Sequence, residues 1–189
     1  DADNLRDMFE QLDVFQNPKV LVAAPSSKVL GNMLGHTTIL EYFYEKGYDV
    51  MHITSKFGAI INDKKVGREE FFKTLQEWGA DDTRKFVIFH YSILSEGINV
   101  PGLTHTILLR NLPIVEMAQT IGRVIRVHKD DRAAVAEGKI PAGAFHLYKK
   151  SEGIVTMPTG YKMGNAIAQR LQNVVNQIFL EGVPPLAYC

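Results

Sequence analysis

Cysteine is almost missing from this chain. The single Cys189 is the last of 189 residues, so no internal disulfide can form, and no Cys/His spacing reads as a zinc site; no metal centre is expected. Long apolar runs are missing too. Nothing approaches the roughly 18 residues needed to cross a bilayer, and no signal-peptide pattern opens the chain. No membrane partner is expected, and the expected location is the cytoplasm. Net charge is absent, with 21 Lys/Arg against 21 Asp/Glu, so any grip on a polyanion must come from local asymmetry rather than from the field of the whole molecule. There is no Gly-x-Ser-x-Gly elbow for a hydrolase triad. A Gly-x-x-x-x-Gly-Lys-[Ser/Thr] phosphate loop is lacking as well, since Gly138-Lys139 is followed by Ile140, and so is an Asp-Glu run for Mg²⁺. The six histidines are scattered, and His90 and His105 read as polar partners near strand ends rather than as ligands.

What is present is an ordinary globular composition, 46% hydrophobic and 22% charged, in a length that suits one core. Apolar, unalternating runs at 19–24, 48–54, 85–90 and 104–109 read as buried strands. Residues 144–149 (AFHLYK) are expected as a fifth strand, and 154–158 (IVTMP) as a sixth strand or a hairpin arm. Helical spacing marks 4–15, 39–47, 67–79, 113–127 and 163–180, with 129–140 as loop or short helix and the lysine-bearing 56–65 as loop. Buried strands separated by helices imply a parallel α/β sheet covered on both faces. In such sheets ligands sit beyond the carboxyl ends of the strands; the turn-rich stretch 91–102 and the loop before 113 are expected at that edge, with the guanidinium heads of the two arginines described below facing it.

Two stretches carry chemistry. Residues 119–126 place Gln119, Gly122, Arg123 and Arg126 in one pattern. Positions three apart share a side of a helix. Guanidinium groups stay protonated and match phosphate oxygens in a bidentate fork. Gly122 admits close approach of a ligand or another backbone. Residues 95–103 (SEGINVPGL) form a turn after a buried strand, with Glu96, Gly97 and Asn99 exposed to chemistry; Asn99 both donates and accepts, as sugar hydroxyls require. Eight Lys/Arg against four Asp/Glu between Arg110 and Lys150 add a local basic excess.

In this order and this α/β frame, the two stretches resemble motifs V and VI of superfamily 2 helicases and translocases, and KVLVAAPSS (19–27) falls where motif IV belongs. The resemblance covers roughly residues 15–150 and implies the second, C-terminal RecA-like domain of such a motor. It divides the chain into a RecA-like domain at 1–160, with about five to six strands, and a C-terminal helix and tail at 161–189 packed on it. It implies that Arg123 and Arg126 are arginine fingers, with Gln119 as their helper at the same phosphate. Glu96, Gly97, Asn99 and Gly122 would lie near the nucleotide. Ser26, Ser27, Ser92, Ser95 and the Thr54-Ser55-Lys56 turn would contact a nucleic-acid backbone. The chain departs from the family at Asn99, where Asp is common, and at Tyr91-Ser92, where a threonine is common.

The implied cofactors are ATP and Mg²⁺, held mostly by a first RecA-like domain expected upstream of Asp1. The implied partners are that domain and nucleic acid, with DNA expected. Alone, this chain is expected not to hydrolyse ATP. Two other readings stand beside it: a non-catalytic RecA-like module that binds nucleic acid or protein, and a doubly wound small-ligand domain such as a nucleotide-sugar binder.

Overall fold

The computed structural model describes residues 5–6, 8, 17–91, 100–109, 114–124, 126–157, 169–170 and 172–173. Its centre is a sheet whose first strand, β1 (Lys19–Ala23), is buried along its whole length. Flanking it are β5 (Phe86–His90) and β6 (His105–Leu108), also wholly buried. Then come β2 (Asp49–Thr54) beside β5, and β7 (Ile154–Thr156) beside β6. These five strands are all parallel. Their near-continuous Val, Ile, Leu and Phe content reflects burial on both faces.

The helices complete the layers. On one face α1 (Ser27–His36) and α2 (Ile39–Glu45) bring Leu30, Met33, Ile39 and Phe43 onto Val20, Val22, Val87 and Phe89. Leu5 joins the same cluster, fully buried. On the other face α3 (Arg68–Ala80) sets Phe71 and Leu75 against Leu21, Met51, Phe86 and Ile88, and α4 (Ile114–Val124) sets Met117 and Ile121 against Ala23 and Leu108. Alternate residues of β1 thus serve opposite layers, as the period of two requires. A short helix α5 (Lys129–Ala136) follows, capped by His128, whose side chain accepts from the Asp130 amide.

Three expectations need correction. The 56–65 loop is instead the core of an antiparallel hairpin, β3 (Gly58–Ile61) and β4 (Lys64–Val66), which extends the sheet beyond β2 to seven strands in the order β4-β3-β2-β5-β1-β6-β7. Its two-residue turn holds Asn62 and Asp63 at φ 45° and 64°, the left-handed pair that a type I′ hairpin demands. Residues 144–149 form no strand. They include a 3₁₀ turn, Phe145–Leu147, with Phe145 and Leu147 exposed, and it is β7 that lies beside β6. Finally, α4 stops at Val124 rather than 127. Gly153 lies so close to that end that a Cβ on it would stand 2.4 Å from the Val124 carbonyl oxygen.

Of the two expected terminal helices, residues 4, 7, 9–15, 163–168, 171 and 174–180 lie outside the described residues, as does the whole of 181–189. Among the described residues, no helix is long and apolar enough to cross a membrane.

Candidate functional site

Two buried lysines organise the amino-terminal edge of the sheet. Lys19, at the start of β1 and 3% exposed, donates from Nζ to the carbonyls of Trp78 (3.0 Å), Asp81 (2.5 Å) and Arg84 (2.8 Å), while standing 5.5 Å from the Phe86 ring centroid. It therefore closes the carboxyl end of α3, where the helix dipole is negative. Burial lowers its pKa, partly offset by the charges of Asp82 and Asp81. Lys150 does the same for α4. Its Nζ donates to Leu103 O (2.6 Å), Val124 O (2.5 Å) and Arg126 O (2.9 Å). Burial pushes its pKa down to about 8.

Between these anchors lies a cavity of about 240 Å³, room for several waters at about 30 Å³ each. Its side-chain lining includes Arg123, Arg126, His128, Lys129, Arg132 and Lys150, and no carboxylate among the described residues. The opposite wall is the end of α3 and the 100–103 turn, where Gly79 and Gly102 meet: a Cβ on Gly102, whose φ is +67°, would stand 2.2 Å from Gly79 O. Only glycine permits both that φ and that approach. Arg123 is 9% exposed whereas Arg126 is exposed. Burial first, and the Arg126 charge second, lower the Arg123 pKa, but a guanidinium stays cationic regardless. Carboxylates stand behind or beside the cavity. Asp131, buried, accepts from the backbone amides of Lys149 (2.8 Å) and Lys150 (3.0 Å). Asp130 pairs with Lys149 at 2.5 Å, and Asp82 with His128 at 2.8 Å. Such a concentration of donors is suited to phosphoryl oxygens.

No protein-family model and no curated protein matches the sequence. Solved structures do resemble the fold. The C-terminal part of the Fun30 ATPase domain superimposes with a TM-score of 0.50 at 17% identity, covering 96% of this chain and 48% of that one. The fold is RecA-like. This chain therefore spans about half the length of the Fun30 chain it matches. Domain 2 of the DEAD-box helicase Mss116p, bound to an RNA duplex, gives a TM-score of 0.44 at 12% identity over 94% of this chain and 66% of that one. The Pyrococcus furiosus Hef helicase domain gives 0.40 at 16% over 87% and 26%.

The RecA-like domain does not present its arginines where ligands of open α/β sheets ordinarily sit. Arg123 and Arg126 share one cavity, but it adjoins Leu103, Lys150 and the end of α3, which precede β6, β7 and β5. That is the amino edge, not the carboxyl rim expected from the sequence. The reason is directional: α4 leaves the carboxyl end of β6 and runs back, so its last turn reaches the opposite edge. Arg126 also lies past the helix end, so the pair meets through the turn after Val124 and not through a shared helical face. Gly122 faces open space, with nothing within 4 Å of an added Cβ. Gln119 lies on α4, its side chain outside the described residues.

The remaining predicted contacts gather at the other edge of the RecA-like sheet. Ser26 N-caps α1, its Oγ accepting from Val29 N at 3.1 Å, and Ser27 is exposed beside it. Ser55 and Lys56 are exposed in the turn after β2, where Thr54 Oγ1 accepts from Phe57 N at 2.9 Å. The strands between the two groups span about 17 Å for five residues. Ser92, Ser95, Glu96, Gly97 and Asn99 lie outside the described residues, between Tyr91 at the end of β5 and Val100 on the cavity wall. Sequence reasoning missed Lys129, Arg132 and Lys150 as cavity residues. The basic excess between Arg110 and Lys150 was their only signal.

Proposed function

We propose that this chain acts as the second RecA-like domain of an ATP-dependent helicase or translocase working on nucleic acid, with DNA as the track, and that Arg126 and Arg123 reach the triphosphate held by a first RecA-like domain. The single observation that carries this reading is the cationic cavity holding both arginines at one edge of the sheet, with no carboxylate in its lining among the described residues and one arginine exposed. An arginine supplied from one domain to a nucleotide on another need not lie at its own sheet's ligand rim, because that rim serves ligands the sheet itself binds. ATP and Mg²⁺ would be held mainly by the first domain. Closure of the interdomain cleft would bring the guanidinium groups onto the transferring phosphoryl group, whose charge spreads over its oxygens, and so couple turnover to domain motion. Ser26, Ser27, Ser55 and Lys56, at the far edge, would follow the nucleic-acid backbone through hydroxyl, amide and ammonium groups without reading sequence. Gln119, Glu96, Gly97, Asn99 and Ser92 are assigned to the same two tasks by their motifs.

The test is nucleic-acid-stimulated ATP turnover by a protein in which this domain is joined to its nucleotide-binding partner. Arg126→Ala should lower turnover about a thousandfold and leave ATP binding within a few-fold of wild type. Arg126→Lys should not rescue it, because an ammonium cannot reproduce the planar fork. Undiminished turnover in Arg126→Ala would remove the assignment.

A further inference from the structure

We infer that Lys150 is the positioning residue of the arginine-bearing turn: by holding the Val124 and Arg126 carbonyls it fixes where the Arg126 guanidinium is presented, and its deprotonation releases that turn. The inference rests on the reading of Arg126 given above only for its consequence in catalysis; the geometry stands by itself.

Lys150 comes from the segment before β7, yet its Nζ bridges three carbonyls on two other segments, Leu103 ahead of β6 and Val124 and Arg126 at the end of α4. Its own backbone is tied down in turn, since Asp131 on α5 accepts from its amide at 3.0 Å. Arg126 lies outside any helix, and the Lys150 ammonium ties its carbonyl to those of Val124 and Leu103. An ammonium has three N–H donors and no lone pair, which matches three carbonyl acceptors. A neutral amine has two donors and one lone pair, so one carbonyl would lose its donor and face that lone pair instead. Titration would therefore act directly on the turn.

Other ionisable groups surround this point. On α4 and its following turn they are Arg123, Arg126 and His128. On α5 they are Lys129, Arg132 and Asp131, and at the start of β6 there is His105. The arginines do not titrate in the accessible range. His105, lowered to about 4 by burial and then by the Lys150 charge, is neutral throughout it. The outer Lys149, Asp130 and Asp82 form their own pairs. With burial bringing Lys150 to about 8, the release falls at mildly alkaline pH.

The experiment has two arms. In the first, carbon-detected NMR follows Arg126 Cζ and Lys150 Cε in this chain from pH 6.5 to 9.5. Arg126 should shift with the same midpoint as Lys150, keep that midpoint in His128→Gln, hold its low-pH position throughout in Lys150→Arg, and sit away from it at every pH in Lys150→Met. An Arg126 signal that ignores pH in the wild type, or a midpoint abolished by His128→Gln, overturns the inference. Should either Lys150 variant fail to fold, the wild-type titration alone decides. The second arm measures turnover in the joined motor. kcat should fall about tenfold or more across the Lys150 midpoint, with KM for ATP constant, and Lys150→Arg should flatten that fall. If Arg126→Ala leaves turnover intact, the finger assignment fails while the first arm still judges Lys150. If Arg126→Ala is crippled and kcat is flat with pH, the catalytic consequence of Lys150 positioning is overturned, whatever the first arm shows of the turn.

Discussion

Gly79 and Gly122 form a matched pair that tests the packing directly, since each lies in the last turn of a helix and their surroundings differ completely. A Cβ on Gly79 would stand 2.4 Å from Pro101 O and 2.8 and 2.9 Å from two carbons of the proline ring. All three contacts are too close, and the first is with backbone, which cannot rotate away. Overpacking of this kind costs about 1–3 kcal/mol, and three simultaneous clashes place Gly79→Ala near the top of that range. Alanine gains back about 0.5–1 kcal/mol of helix preference, leaving a net loss of about 2 kcal/mol. Gly122→Ala meets nothing within 4 Å, so it should keep the whole helix gain. At about 2–4 °C per kcal/mol for a chain of this size, the Tm should fall by about 4–8 °C for Gly79→Ala and rise by about 1–4 °C for Gly122→Ala. Thermal and urea melts of the two variants beside wild type measure this. Equal shifts, or a Gly122→Ala variant less stable than wild type, would refute the reasoning, because the open space beside α4 would then have to be filled.

Acid should weaken the fold through His105, whose folded pKa is about 4 against an unfolded value near 6.5. Between those values the unfolded chain takes up a proton that the native state refuses, so stability falls as pH drops from 6.5, by about 3 kcal/mol at pH 4; urea midpoints at pH 7, 5.5 and 4 should decline less in His105→Gln than in wild type. Removing the ammonium at the start of β1 with Lys19→Met leaves the Trp78, Asp81 and Arg84 carbonyls without it, which should cost about 2–3 kcal/mol. Equilibrium unfolding checks this, and a loss under about 0.5 kcal/mol would mean that water replaces the lysine.

Much of the sheet can be read from the chain because burial on both faces leaves a one-dimensional trace. KVLVA, FVIFH and HTIL are apolar enough to mean one thing. GAIINDKKV could have been recognised, since Asn62-Asp63 is a hairpin turn signal between two short β-branched arms, but the lysines around it suggested a loop. Residues 144–149 misled in the other direction: their apolar and aromatic content suggested a strand, but Phe145 and Leu147 are exposed in a 3₁₀ turn and it is β7 that pairs with β6. The site was legible as residue types and not as a place. Nothing in the spacing of Gln119, Arg123 and Arg126 tells which end of the sheet α4 reaches, and Lys150 contacts Leu103 across 47 residues, a separation no local pattern records.

The hairpin that lengthens the sheet also determines how it stops. Its outermost strand, Lys64–Val66, is three residues long, and Lys64 and Lys65 are both exposed. A margin that short, carrying two ammonium groups, gives an incoming strand few amides to pair with and a charge to repel it. On that side the molecule is protected against polymerising by strand addition.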